Sequence, residues 1–360
     1  MATTAPLLAF GLSLATALML VVTQRWHGRF THDHTEGIQK FHAHPVPRIG
    51  GLAIIVGLYA GALVLADDSA VLLWPALLAG LVAFGFGLLE DITRQIGVLD
   101  RLLATMTSGV LAWWLTDISL NQLDVWLLDD ALTWLPFSVL FTAVAVGGVA
   151  NAVNLIDGFN GLASGSVVIA LLSLATMAAL SGDPALASAC LLIAAATLGF
   201  GVLNFPFGKI FLGDGGAYLL GFLLAWMAIL LVTRNPSISP WAPLLACGYP
   251  IIETLFSMTR RLINRSHPGK PDCLHLHSLI KTRIIRPRLG HWPIHWRNAI
   301  VAPFGWLIAV LTGGLAILFM LDTVALIATW ILCSLLYALW HRHLAHSNTQ
   351  VPNTQNHCAD

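Results

Sequence analysis

Four carboxylates stand at the ends of apolar runs in a chain with few charges of any kind. Glu90 and Asp91 lie in LLEDITRQIG, Asp157 in NAVNLIDGFNGLASG and Asp214 in KIFLGDGGAYLLG. Amides and cations accompany them: Asn151, Asn154, Asn204, Lys209, Arg48 in HPVPRIGG, and the pair His275 and His277 in PDCLHLHSLIKTR. Carboxylates gathered at a low-dielectric boundary repel one another unless a cation joins them, and hard oxygen donors suit Mg²⁺ or Mn²⁺. A divalent metal with Lys, Arg and His is the equipment for holding a diphosphate and stabilising charge in phosphoryl transfer. Gly50, Gly51, Gly158, Gly161, Gly213, Gly215 and Gly216 would let backbone amides approach phosphate oxygens.

Each residue also has a purely structural reading. Glu90 and Asp91 suit ordinary helix-end charges facing lipid headgroups. Asp157 and Asp214 suit caps of the helices that follow them. His275 and His277, at i and i+2, do not share a helix face and read singly as polar loop residues. Convergence on one side of a membrane is what favours a site, and that depends on the elements.

The chain is 57% hydrophobic and 10% charged, a composition outside the soluble globular range. Apolar stretches long enough to cross a bilayer as helices recur along it, and eleven spans are expected: 5–23, 49–66, 71–89, 102–116, 132–150, 162–180, 185–203, 216–233, 241–258, 299–321 and 323–340. Strands alternating with a barrel's period are absent, so the fold class is all-α and polytopic. The first segment lacks a basic n-region and a cleavage site, and reads as a retained helix stopped by VVTQRWHGR. With the N-terminus outside, 17 of the 18 Lys and Arg residues fall on the cytoplasmic side, Arg234 being the exception. All the polar clusters above then share the cytoplasmic face. The basic-inside, acidic-outside pattern speaks for contact with membrane lipids and says nothing for nucleic acid. One membrane domain is expected over 1–341, with a cytoplasmic loop at 259–298 and a polar tail at 342–360. The five cysteines, Cys190, Cys247, Cys273, Cys333 and Cys358, have neither disulfide nor zinc spacing.

The motifs PVPRIGG, LLEDI, NAVNLIDGFNGLA, KIFLGDGGAYLLG and PDCLHLHSLI resemble, in order and in topological side, the polyprenyl-phosphate N-acetylhexosamine-1-phosphate transferases. These include the enzymes that start O-antigen, enterobacterial common antigen and teichoic acid, and the phospho-MurNAc-pentapeptide transferase. The resemblance covers residues 40 to 290. It implies a multi-pass enzyme of the bacterial inner membrane that moves a sugar 1-phosphate from a UDP-N-acetylhexosamine to undecaprenyl phosphate with Mg²⁺, releasing UMP. It also implies that Asp214, Asp91 and Asn154 belong to the metal region, and that Glu90, Asp91, Asp157 and Asp214 are the catalytic group. Asn151, Asn154, Asn204, Lys209, Arg48, His275 and His277 are the implied substrate contacts, and a homodimer accords with the family.

Three departures matter: Glu90 stands where many members have Asp, Asn160 where the pattern has a second acid, and Ser278 where some relatives have a third histidine. They favour the O-antigen-initiating branch. GlcNAc, GalNAc and 6-deoxy N-acetylated hexosamines all fit as the sugar. The rival reading is a transporter or flippase for a lipid-linked or anionic substrate, which would place binding groups near mid-membrane on broken helices; Glu253 is the deepest charge in these spans.

Overall fold

The computed structural model describes residues 4–33, 45–265, 272 and 274–347; Lys40, Lys270, Cys273, Cys358 and the end of the polar tail lie outside the described residues. The helices are α1 (Thr4–Thr31), α2 (Gly50–Ala62), α3 (Asp67–Thr93), α4 (Val98–Thr116), α5 (Trp126–Leu132), α6 (Leu135–Leu155), α7 (Leu162–Leu180), α8 (Pro184–Asn204) and α9 (Gly213–Arg234). There follow α10 (Trp241–Ala246), α11 (Gly248–Ile263), α12 (Leu276–Leu279), α13 (Arg286–Leu289), α14 (Ile294–Ala299), α15 (Ala302–Leu318) and α16 (Thr323–His346). A π-helical turn, Ile280–Ile285, joins α12 to α13. The sole strands among the described residues, β1 (His32–Asp33) and β2 (Val46–Pro47), form a two-residue antiparallel pair. This is an all-α polytopic membrane protein.

Eight helical stretches among the described residues are long and apolar enough to cross a bilayer. Three expected spans differ. The one at 49–66 is helical only over Gly50–Ala62. The one at 102–116 gains a turn and begins at Val98, because Asp100 bonds the Gly97 N–H at 3.1 Å and closes the helix start. The one at 241–258 breaks at Cys247 between α10 and α11, where Gly248 and Pro250 weaken and interrupt the backbone ladder. α1 runs through the expected basic stop to Thr31, with Arg25 and Arg29 lying over the rings of Trp26 and Phe30. α16 likewise takes in the first residues assigned to the tail, ending at His346.

α9 is the axis of the bundle. It is apolar on every side and almost wholly buried, as a helix enclosed by other helices must be, with α2, α3, α6 and α7 around it. Small residues set the closest approaches: a Cβ on Gly51 would fall 2.5 Å from the Gly216 nitrogen, and one on Gly87 2.6 Å from Gly215 Cα. Backbones of α2 and α3 therefore lie directly on the start of α9, the close-packing device of membrane helices. Those glycines serve helix packing, where the sequence had suggested phosphate approach. The amides of Gly50 and Gly51 are likewise taken, by the Phe211 and Leu212 carbonyls at 2.9 and 3.0 Å. α16 lies at the rim and buries few residues. The described cysteines, Cys190, Cys247 and Cys333, are all unpaired.

Candidate active site

The packing of α2 and α3 on the first turn of α9 decides where the acids go. Asp91, near the C-terminal end of α3, turns both carboxylate oxygens to that turn: Oδ1 accepts the Asp214 N–H at 2.9 Å and Oδ2 the Gly215 N–H at 3.0 Å. It thereby satisfies two of the N–H groups that a helix start leaves open, and its charge lies at the positive end of the helix dipole. Asp91 is 2% exposed. Asp91 thus holds the backbone that carries Asp214.

Gly213 makes the arrangement sterically feasible. Its φ is +75°, and a Cβ there would fall 2.1 Å from the Arg48 carbonyl oxygen and 2.6 Å from Asp91 Oδ2. Gly213→Ala is expected to cost at least about 2 kcal/mol of stability through combined strain and overlap. Thermal unfolding in detergent checks this, and an unchanged melting temperature would contradict it.

Asp214 projects into a ring of donors. Its Oδ1 accepts from Arg48 Nη2 and from Asn154 Nδ2, each at 3.1 Å, while Oδ2 accepts from Arg101 Nη1. Arg48 Nη2 also stands 3.4 Å from Asp91 Oδ1. Asn154 Oδ1 accepts the Tyr218 hydroxyl at 3.2 Å. The start of α2, the ends of α3 and α6, and the starts of α4 and α9 thus meet at one point. Tyr218 carried no signal by itself, although i and i+4 from Asp214 share a helix face; Arg101 stood out only as one cation among many.

Asp157 lies in the turn between α6 and α7, outside both helices. Burial pushes its carboxyl up to about 7, with Arg48 opposing and Asp214 adding to the rise. Among the described residues no hydrogen bond or ion pair ties that carboxyl down. Neither acid caps a helix by its side chain: Gly161 occupies the start of α7 and Leu212 that of α9.

Most of the other expected contacts bond within the protein, and Lys209 is exposed. Asn204 accepts the Gly161 N–H at 2.7 Å and donates to the Ile210 carbonyl at 2.8 Å, so both ends of its amide brace loops. Asn151 donates to the Gly147 carbonyl at 2.8 Å and to Thr105 at 3.3 Å. Glu90 accepts the Ile96 N–H at 2.8 Å. The Lys209 Nζ lies 5.5 Å from the Phe207 ring centroid. Asn160, at the position of the missing acid, donates to the carbonyls of Pro206 and His295 at 3.1 and 3.4 Å.

The histidine pair divides. His275 Nδ1 bonds Glu253 at 3.0 Å, whereas His277 packs edge-on against Phe159 with ring centroids 5.6 Å apart. Burial lowers the His277 imidazole to about 4, against the pull of Glu253, so the ring is neutral at pH 7. Lys281, unremarked in the sequence as a site residue, places Nζ 5.3 Å from the Phe159 ring centroid. Burial, with Arg297 and Arg286 adding, lowers it to about 6. An anion arriving there would restore its charge.

A metal can be matched to this donor set. Among the described residues no group of three or more His, Cys, Asp or Glu side chains forms a ligand cluster. Asp214 and Asn154, bonded to each other, offer hard oxygen donors, and Asp157 lies close enough for Asp214 and Arg48 to act on its charge; Mg²⁺ typically takes one or two carboxylates and completes its shell with water and substrate phosphates. The residues fit such an ion.

The family model described as glycosyl transferase family 4 matches residues 73–232, the stretch from α3 to α9 that carries Asp91, Asp157 and Asp214. A Bacillus subtilis (strain 168) protein named "Probable undecaprenyl-phosphate N-acetylglucosaminyl 1-phosphate transferase" is 30% identical over 273 residues, 75% of each chain. The chain belongs to glycosyl transferase family 4. Two further relatives of this family 4 chain are similar to it at 31% identity. One is a decaprenyl-phosphate N-acetylglucosaminephosphotransferase of Mycobacterium tuberculosis (strain CDC 1551 / Oshkosh), over 66% of this chain and 65% of its own. The other is a phospho-N-acetylmuramoyl-pentapeptide-transferase of Moorella thermoacetica (strain ATCC 39073 / JCM 9320), over 74% and 81%.

Proposed function

We propose that this chain transfers a sugar 1-phosphate, of the N-acetylhexosamine type, from a UDP-sugar to undecaprenyl phosphate at the cytoplasmic face of the bacterial inner membrane. The observation that carries the reading is Asp214 held by Arg48, Arg101 and Asn154 at the end of a membrane bundle whose relatives bear polyprenyl-phosphate transferase names. In the reaction an oxygen of the acceptor phosphate bonds to the sugar-bearing phosphorus of the donor, and the bond from that phosphorus to the UMP oxygen breaks. Arg48 and Arg101, which converge on Asp214, would take phosphate oxygens, and Asn154, bonded by Tyr218, would orient them. An acceptor phosphate is already largely ionised near neutral pH, so positioning and charge neutralisation carry the rate. Mg²⁺, or Mn²⁺ in its place, would be held by Asp214, Asp157 and Asn154, and would supply neutralisation of the charge spread over the transferring phosphoryl group.

Apolar room that would take part of an isoprenoid chain lies deeper in the bundle, toward the end of α9 away from Asp214. An apolar cavity of about 370 Å³ lies between α6, α9 and the α10–α11 break. Phe141, Ala145 and Val149 of α6 line it one turn apart, along the helix that ends in Asn151 and Asn154. Purified protein given undecaprenyl phosphate, Mg²⁺ and a panel of UDP-N-acetylhexosamines is expected to release UMP and form one dominant lipid-linked sugar, both lost on adding EDTA. No UMP with any donor would sink the reading. The identity of the lipid product would also test the O-antigen assignment.

A further inference from the structure

The structure shows how the second histidine is held, and the residues responsible lie beyond the stretch matched by the family model. Glu253, 1% exposed, sits on α11 and faces the turn that leads into α12. Its carboxylate accepts from His275 Nδ1 at 3.0 Å and receives the Leu276 N–H at 3.4 and 3.3 Å. Ser257 and Arg260, at i+4 and i+7 on the same face, hold Asp272 at the other end of this turn, with Arg261 assisting. α16 grips it from the opposite side: His341, 4% exposed, donates from Nε2 to the Leu274 carbonyl at 2.7 Å. Phe256 lies between the clamps, its ring centroid 4.5 Å from that of His341.

The clamp determines the position of His277. The His275 ring is stacked on it with centroids 5.2 Å apart, its Nδ1 lies 3.8 Å from Glu253 Oε2, and its Nε2 lies 3.7 Å from where a Cβ on Gly158 would stand. His277 Nδ1 is buried and makes no hydrogen bond. The ring is thus aimed through its other nitrogen at the Asp157–Gly158 turn. A buried carboxylate inside an apolar helix is costly unless its partners are fixed. Here His275 and Leu276 of the turn supply them, with Tyr337 of α16 beside the carboxylate, so Glu253 and the turn order each other.

We propose that Glu253 is a positioning residue that acts through His277, keeping the imidazole against the Asp157–Gly158 turn, where it meets the donor diphosphate. It rests on the transferase reading above. The test is a double-mutant cycle on the full chain in detergent with lipid, read by UMP release at varied UDP-sugar. Glu253→Gln keeps the side chain's shape and removes its charge. The expected loss in kcat/KM for the donor is about 10- to 100-fold, with acceptor KM unchanged. In a His277→Ala background the same substitution is expected to change the rate by less than about twofold. Equal losses in both backgrounds, or no loss in either, overturn the proposal. Where Glu253→Gln does not fold, His341→Gln enters the cycle in its place with the same two outcomes. A wild-type chain that releases no UMP counts against the transferase reading alone, and hydrogen exchange then decides. Faster exchange at residues 274–279 in Glu253→Gln, with α9 protected as before, supports the clamp, and unchanged exchange there overturns it.

Discussion

Asp214→Ala is expected to lower the rate of UMP release by about 10³-fold or more at saturating substrate, because one side chain organises every donor at the meeting point. With the carboxylate gone, Arg48 and Arg101 lose their shared partner, while their side chains remain only 27% and 17% exposed. Two guanidinium groups in that position repel, and removing one member of a largely buried ion pair destabilises the fold as well as the site. Asp214→Asn separates the effects. It keeps the volume and a carbonyl acceptor for Arg101 or Asn154, so the chain should fold with a modestly lowered melting temperature and still be nearly inactive. Retention of a tenth or more of the parent rate by either folded variant would remove Asp214 from the centre of the mechanism.

Asp157→Asn is expected to move activity and stability in opposite directions. Its carboxyl, raised to about 7 chiefly by burial, keeps a proton in the folded chain that the unfolded chain has released above the ordinary Asp value of about 4. Between those two values the folded state binds more protons, so its stability falls as pH rises through the window and stays reduced above it. Asparagine carries no such proton. Without divalent metal, the variant should gain melting temperature relative to the parent as pH rises from 5 to 8, while transfer falls by about 10²-fold. A difference in melting temperature that stays flat across this range would show that the Asp157 carboxyl titrates in the ordinary Asp range.

Much of the fold was legible because a membrane leaves the backbone few choices: long apolar runs must become helices, and their polar interruptions must collect at the ends. Fine boundaries were less legible. At Cys247 the local breakers Gly248 and Pro250 split an apolar run that hydropathy reads as one span, and at Gly97 a side chain three residues ahead starts α4 early. The site was legible as a set of residues and not as a division of labour. Asp91 and Asp214 look equivalent as acids at helix ends, yet one is consumed by backbone amides while the other faces two arginines. Asn204 resembles a substrate contact until its partners are seen, and Arg101, Tyr218 and Glu253 acquire meaning only from elements distant in the chain.

The sequence by itself determined the solvent this protein lives in, its helical class, its family motifs and the kind of chemistry its polar residues can perform, since all of these depend on residue type and spacing along one chain. The tertiary structure decided which acid meets which cation, which glycines serve packing, and which histidine is held and which is aimed. Those outcomes follow from helices α2, α3, α4, α6 and α9 closing on one point and from α11 and α16 closing on another. Hydrogen bonds act over about 3 Å, and only the folded packing sets distances on that scale between residues more than a hundred positions apart.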